Sequence, residues 1–123
     1  MSDDRKNFGR QSEEAAARFL KRQGYEIIER NARNTLGEID IVAKHKNVIV
    51  FVEVKARRSQ SFGHPKYAVT PAKQRKLSMV ALAYLKKLGT TRMPARFDVV
   101  TVQPTQEGPH IEVITNAFEL AYP

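Results

Sequence analysis

Two apolar runs separated by a short polar break constrain this chain more than any other feature. Gly37-Glu38-Ile39-Asp40-Ile41-Val42-Ala43 and Val48-Ile49-Val50-Phe51-Val52-Glu53-Val54-Lys55 flank Lys44-His45-Lys46-Asn47. Runs so rich in β-branched residues predict strands, and the break predicts a β-hairpin with a four-residue connection. Alternation puts Phe51, Glu53 and Lys55 on one face, and Val50, Val52 and Val54 on the other. Pairing around the break sets Asp40 roughly across from Phe51 and diagonally near Glu53, about 5–8 Å apart. An acid on one strand and acid-x-lysine on the next can hold a divalent metal beside a water and a phosphate, as a nuclease does. The same residues could form only a cross-strand ion pair on a wet face. The almost unbroken Val, Ile and Phe around Glu53 favour a site, because such a strand is buried and unneeded charge there is costly.

Charge points the same way. Lys and Arg number 21 against 13 Asp and Glu, a net charge of +8. That excess fits a polyanion, foremost nucleic acid, although an anionic membrane surface attracts basic proteins too. The 123 residues predict one domain spanning the chain. Cysteine is absent, which excludes disulfides, zinc–thiolate sites and a thiol nucleophile, and fits a reducing compartment. No apolar leader or spanning run is visible, so the expectation is a cytoplasmic protein without a membrane partner.

Along the chain, residues 1–7 are expected to be disordered. A helix is predicted over Phe8–Gln23, with Ala16, Phe19 and Leu20 inward, Gln23 at the margin and Gly24 as its C-terminal cap. Glu13 shares the face of Ala16 and Leu20, whereas Glu14 lies further round toward solvent. Glu13 is then either an ordinary first-turn acid or a third site carboxylate. Tyr25–Arg30 reads as a strand and residues 31–36 as a link, giving an antiparallel meander with the hairpin. Arg30, Arg33, Arg57 and Arg58 flank these strands and as a set suit phosphate contact.

A long polar loop with Gly63-His64-Pro65 follows. Three scattered histidines offer no ligand spacing; His64 could touch substrate, and His45 and His110 read as turn or surface residues. Thr70-Pro71 opens a second helix, with Leu77, Val80, Ala81, Tyr84, Leu85 and Leu88 inward and Gly89 closing it. Lys73, Arg75 and Lys76 crowd its first turns, where cations oppose the helix dipole. That placement suggests either phosphate binding, with Lys73 the choice as nearest the cap, or simply a solvated helix face. Arg96–Val102 is a fourth strand, parallel to an earlier one through a right-handed crossover. Asp98 at its start reads as a turn cap or a further acid. Ile111–Ile114 is a last short strand and residues 116–120 a short helix.

This order, with acids on the second and third strands, resembles the restriction-endonuclease-like superfamily, whose site is Asp, then Glu-x-Lys, often preceded by a helix Glu. It resembles more closely the YraN family of small bacterial proteins, regarded as endonuclease relatives of archaeal Holliday-junction resolvases. The residues carrying this are Glu13-Glu14-Ala15-Ala16, Gly24-Tyr25, Arg30-Asn31, Gly37-Glu38-Ile39-Asp40, Phe51-Val52-Glu53-Val54-Lys55-Ala56-Arg57, Gly63, Lys73 and Phe97-Asp98. Ser12 departs from the glycine that usually precedes the helix glutamate. The resemblance implies an α/β fold: a helix, a three-strand antiparallel meander, a helix and a strand, forming a mixed central sheet flanked by helices. It further implies Asp40 and Glu53 as ligands of Mg²⁺ or Mn²⁺, Lys55 acting on the attacking water, and Glu13 completing the catalytic and metal-binding set. Glu38 would be a supporting acid or an extra ligand, with Arg30, Arg33, Arg57, Arg58 and Lys73 on the nucleic-acid backbone.

The function expected is a metal-dependent endonuclease acting on duplex or branched DNA, possible as a homodimer. The alternative is a non-catalytic basic nucleic-acid-binding protein of the same fold acting with a partner, and a third reading is an RNA-directed or accessory protein inside a larger complex. No exposed aromatic run suits single-strand stacking and no helix-turn-helix signature is present.

Overall fold

The computed structural model describes residues 2–57, 69–89 and 93–119, with side chains from Lys6 onward. In chain order the elements are α1 (Ser2–Arg22), β1 (Glu26–Asn34), β2 (Gly37–His45), β3 (Val48–Ala56), α2 (Pro71–Leu88), β4 (Ala95–Thr105) and β5 (Gly108–Phe118). They build one five-stranded sheet in the order β1-β2-β3-β4-β5. Strands β1, β2 and β3 are an antiparallel meander, β3 and β4 run parallel, and β4 and β5 antiparallel. This is the α/β arrangement that the resemblance implies.

Each face of the sheet carries one helix. Phe51 and Phe97, with rings 5.5 Å apart, join Val42, Ile49 and Val99 against Leu77, Val80, Ala81 and Leu85 of α2. On the other face Ile41, Ala43, Val50, Val52, Val100 and Val102 pack on Ala16, Ala17 and Leu20 of α1. Covering both faces is what turns strands into near-continuous apolar runs. Burying such side chains contributes about 1.5–3 kcal/mol each relative to exposure.

The turns came out tighter than the sequence suggested. β2 and β3 join through Lys46 and Asn47 alone, at φ 51° and 65°. Positive φ at both positions matches the twist of the strands it links, the mark of a two-residue hairpin. Phe51 therefore faces Val42, not Asp40. β1 likewise continues through residues expected as a link, to Asn34, whose side chain accepts the Leu36 amide at 2.8 Å and forms the turn.

Other expectations also need correction. α1 starts at Ser2, so residues from Ser2 to Asn7 are helical where disorder was expected; once a packed segment has nucleated a helix, each added residue costs little. Leu88 is 47% exposed, because it lies beyond the last turn that α2 presses on the sheet. Of the terminal helix expected over residues 116–120, residues 116–118 are instead strand, with Phe118 held by stacking on Phe97 at 4.5 Å, and Leu120 lies outside the described residues. Tertiary packing there overrides local preference. Thr70 and Gly89 cap α2 as read: the Thr70 hydroxyl accepts the Lys73 amide, and Gly89 is left-handed at φ 72°. Among the described residues no helix is long and apolar enough to cross a membrane.

Candidate active site

The site forms where the β2–β3 ladder stops. Regular pairing ends at Ile41 opposite Val52. Beyond it, the Val54 amide donates to Asp40 Oδ2 at 2.8 Å, so a side chain replaces a backbone carbonyl as acceptor. Two residues apart, Ile39 packs in the α2-side core and Ile41 in the α1-side core, so alternation breaks at Asp40. Between Arg30–Ile41 and Ala32–Ile39, the residues facing one another are Asp40 and Asn31, and Asn31 has φ 55°. The kink turns the Asp40 carboxylate toward Glu53 on the neighbouring strand.

Electrostatics single out this pair. Burial pushes the Glu53 carboxyl up to about 8, helped by the Asp40 carboxylate, which only a protonated Glu53 can hydrogen-bond; Lys73 and Lys55 oppose the shift. Two acids crowded into a buried spot, one forced to keep its proton, are better served by a cation between them. The Lys55 ammonium is disfavoured by burial, then by neighbouring Lys73. Lys73 Nζ stands 3.8 Å from Glu53 Oε1. Glu53 and Lys55 share the Phe51 face as predicted, and α2 brings Lys73 to them from a distant part of the sequence.

Glu13 approaches from α1. Burial, then Asp40, raise its pKa, with Glu38 adding and Arg30 opposing. Turned so that its nitrogen faces the acids, the Asn31 amide donates to Glu38 Oε1 at 2.9 Å and Glu13 Oε2 at 3.3 Å. Glu13 and Glu38 thus border an open cleft of about 690 Å³ shared with Arg10, Arg30 and Arg33. A larger cleft of about 770 Å³ lies between α1 and the β4–β5 turn and contains none of these acids. Among the described residues no three Asp, Glu or His side chains gather closely enough to hold a metal ion. Glu13 therefore stands beside the Asp40–Glu53 pair, not in a closed trio with it. A pair of hard carboxylates still suits Mg²⁺ or Mn²⁺, which commonly take one or two protein carboxylates and fill the rest with water and phosphate.

The basic residues are more engaged than their sequence positions implied. Arg30 Nη1 pairs with Glu14 at 2.6 Å, and Arg33 Nη2 with Glu38 at 2.7 Å. Glu14, read as solvated, is thus an ion-pair partner whose pKa is lowered by the Arg30 hydrogen bond. The Arg57 amide donates to the Val102 carbonyl at 2.8 Å. Arg58, Gly63 and His64 lie outside the described residues.

Asp98 is neither a turn cap nor a site acid. It is fully buried, and it accepts from Tyr25 Oη at 2.8 Å, Arg96 Nε at 3.0 Å and the Asn116 amide at 2.9 Å. His45, expected in a turn, ends β2 and stacks on Tyr25 with ring centroids 4.2 Å apart. Burial, then Arg96, lower the His45 pKa; its neutral ring can accept from Arg96 Nη2, 3.1 Å from Nδ1. Gly24-Tyr25 and Phe97-Asp98 stood in the sequence, but no local pattern joins them.

Comparison with known proteins now bears on this geometry. The uncharacterised protein family UPF0102 matches residues 12–102, which include Glu13, Asp40, Glu53, Lys55 and Lys73. The chain belongs to this family. A UPF0102 protein of Desulfosudis oleivorans is 51% identical over 119 residues, covering 97% of this chain and 95% of its own. One from Geobacter sulfurreducens is 49% identical over 122 residues, covering 98% and 95%. The UPF0102 assignment bears out the YraN resemblance. Among solved structures, Pyrococcus furiosus SfsA in complex with Ca²⁺ is similar at a TM-score of 0.40 and 14% identity, covering 89% of this chain and 62% of that one. The chain thus spans less than two thirds of that protein's length.

Proposed function

We propose that this UPF0102 chain is a metal-dependent endonuclease that hydrolyses phosphodiester bonds in DNA, branched or structured duplexes included. One observation carries the reading: the Asp40 and Glu53 carboxylates meet beside Lys55 where the sheet opens, with the Glu53 pKa raised to about 8. A protein that only bound phosphates would gain nothing from buried acids there.

Asp40 and Glu53 would hold Mg²⁺ or Mn²⁺, which when bound supplies positive charge to the phosphate and acidifies a water. Glu53 would hold the ion in its deprotonated form. Lys55, whose ammonium is disfavoured by burial and Lys73, is suited to accept a proton from the attacking water. In its charged form it faces the negative charge that grows on the phosphate oxygens. The water oxygen bonds to phosphorus as one of its protons passes to Lys55, the ester bond to one ribose oxygen breaks, and that oxygen takes a proton from solvent, to which Lys55 later returns its own. Glu13 and Glu38 hold Asn31 and border the neighbouring cleft. Arg30, Arg33, Arg57, Arg58 and Lys73 lie in β1, after β3 and in α2, and would contact the flanking backbone; a two-fold homodimer would suit paired cuts in a branched substrate.

The test is cleavage of a four-way junction, flap, nicked duplex, plain duplex, single strand and RNA, with Mg²⁺ or Mn²⁺. Glu53→Ala is purified in parallel. Cleavage by the parent alone supports the reading; binding without cleavage under either metal overturns it in favour of a basic binding protein that works with a partner.

A further inference from the structure

We propose that Lys73 is the resident cation beside the Glu53 carboxyl group, a place it leaves when a divalent cation binds, and that it then pairs with an oxygen of the substrate phosphate. The inference rests on the endonuclease reading and gives Lys73 a role in coupling the loading of the site to the capture of DNA.

Three observations support it. Lys73 Nζ lies 3.8 Å from Glu53 Oε1, and the side chains are 42% and 11% exposed respectively. Glu53 is thus held at the floor of the site, while Lys73 reaches it from the solvent side. Lys73 also stands beside Lys55, so two lysines crowd the Glu53 carboxyl group. A divalent cation on Glu53 adds repulsion to both, and Lys55 is the more confined of the two because it belongs to the central strand.

Its anchorage tells where Lys73 can go. Its amide donates to Thr70 Oγ1 at 3.2 Å, in a first turn of α2 that contains no acid. No carboxylate in that turn competes for the released ammonium, and the helix N-terminus favours an anion beside it. A phosphate at the opening meets both. The Lys73–Glu53 contact seen here is then the resting state, and Lys73 becomes available for DNA only after it is displaced. This differs from an ordinary surface lysine, whose attraction for DNA is indifferent to the cation.

The experiment uses the full chain and the variants Lys73→Gln, Lys73→Arg and Glu53→Gln. Affinity for Mn²⁺ is measured by calorimetry without DNA. Affinity for a duplex is measured with chelator and with Ca²⁺ at matched ionic strength. Lys73→Gln should bind Mn²⁺ about two- to fivefold more tightly, the scale of a partly exposed ion pair, and Lys73→Arg should resemble the parent. Lys73→Gln should lose more DNA affinity in Ca²⁺ than in chelator, a coupling that a merely structural lysine would not produce. Equal Mn²⁺ affinity in the parent and Lys73→Gln, or an equal DNA loss in both conditions, overturns the proposal and leaves the endonuclease reading standing. If neither the parent nor Lys73→Gln binds Mn²⁺ in a way that Glu53→Gln removes, the endonuclease reading falls and this proposal falls with it.

Discussion

Tyr25 donates its phenolic hydrogen to Asp98 at 2.8 Å, joining residues 73 positions apart. The bond ties the end of α1 to the middle of the sheet, and Arg96 braces it by reaching both Tyr25 Oη and Asp98. Removing the hydroxyl in Tyr25→Phe should cost about 1.5–3 kcal/mol, the range for a hydrogen bond to a charged group. Asp98→Ala should cost about 3–5 kcal/mol, since it strands Arg96 without its carboxylate. Urea unfolding of both variants checks the order; a costlier Tyr25→Phe would contradict it.

The acids of the opening should behave in the opposite way. Glu53→Gln relieves crowding with Asp40 and should stabilise the metal-free protein at high pH while removing cleavage. The sign follows from linkage. The folded pKa of about 8 lies above the ordinary carboxylate value, so between about pH 4.5 and pH 8 the folded state holds the extra proton. Stability is then fully present at the acid end and is lost as pH rises through 8. Melting temperatures in chelator should fall over that window for the parent and stay flatter for Glu53→Gln. The gap between them should be about 4 °C for each kcal/mol relieved.

Lys55→Ala should slow cleavage by about 10²–10⁴-fold, the range for a positioned acid or base, with a much smaller change in DNA affinity. Single-turnover rates with a saturating substrate separate these effects. Equal losses in rate and affinity would make Lys55 a binding residue.

The Lys46-Asn47 turn gives a prediction remote from chemistry. Both residues are left-handed, which suits Asn-Gly better than Lys-Asn. Lys46→Asn combined with Asn47→Gly should raise stability by roughly 1 kcal/mol and leave cleavage at the parental rate. An unchanged denaturation midpoint would mean that the present pair is already unstrained.

What was legible in the sequence followed periodicity. The runs 37–43 and 48–55 gave the hairpin and put Glu53 and Lys55 on the Phe51 face. Thr70-Pro71 and Gly89 gave the limits of α2, because caps act within a few residues. Long-range pairings were not legible. Nothing near Asp98 announces Tyr25, nothing near Glu14 announces Arg30, and Lys73 meets Glu53 only because α2 crosses the sheet. Register was misjudged by the length of one turn, since Lys44 and His45 look like turn residues yet remain in the ladder. The misreading had a benign result: correct pairing brings Asp40 closer to Glu53 than the sequence suggested.

Asp40 and Asp98 are matched in construction. Each accepts a backbone amide from the next strand, and each faces a left-handed asparagine, Asn31 or Asn116, on an edge strand. Asp98 is consumed by its partners, while Asp40 has capacity left for chemistry. Because Asp40 also closes the amide of Val54, a lineage that abandoned the reaction could not discard this side chain freely. A descendant without activity should still show an acceptor at this position, an asparagine or serine where the carboxylate had been. Persistence of an acceptor there is therefore a record of architecture, and only the charge on it is a record of use.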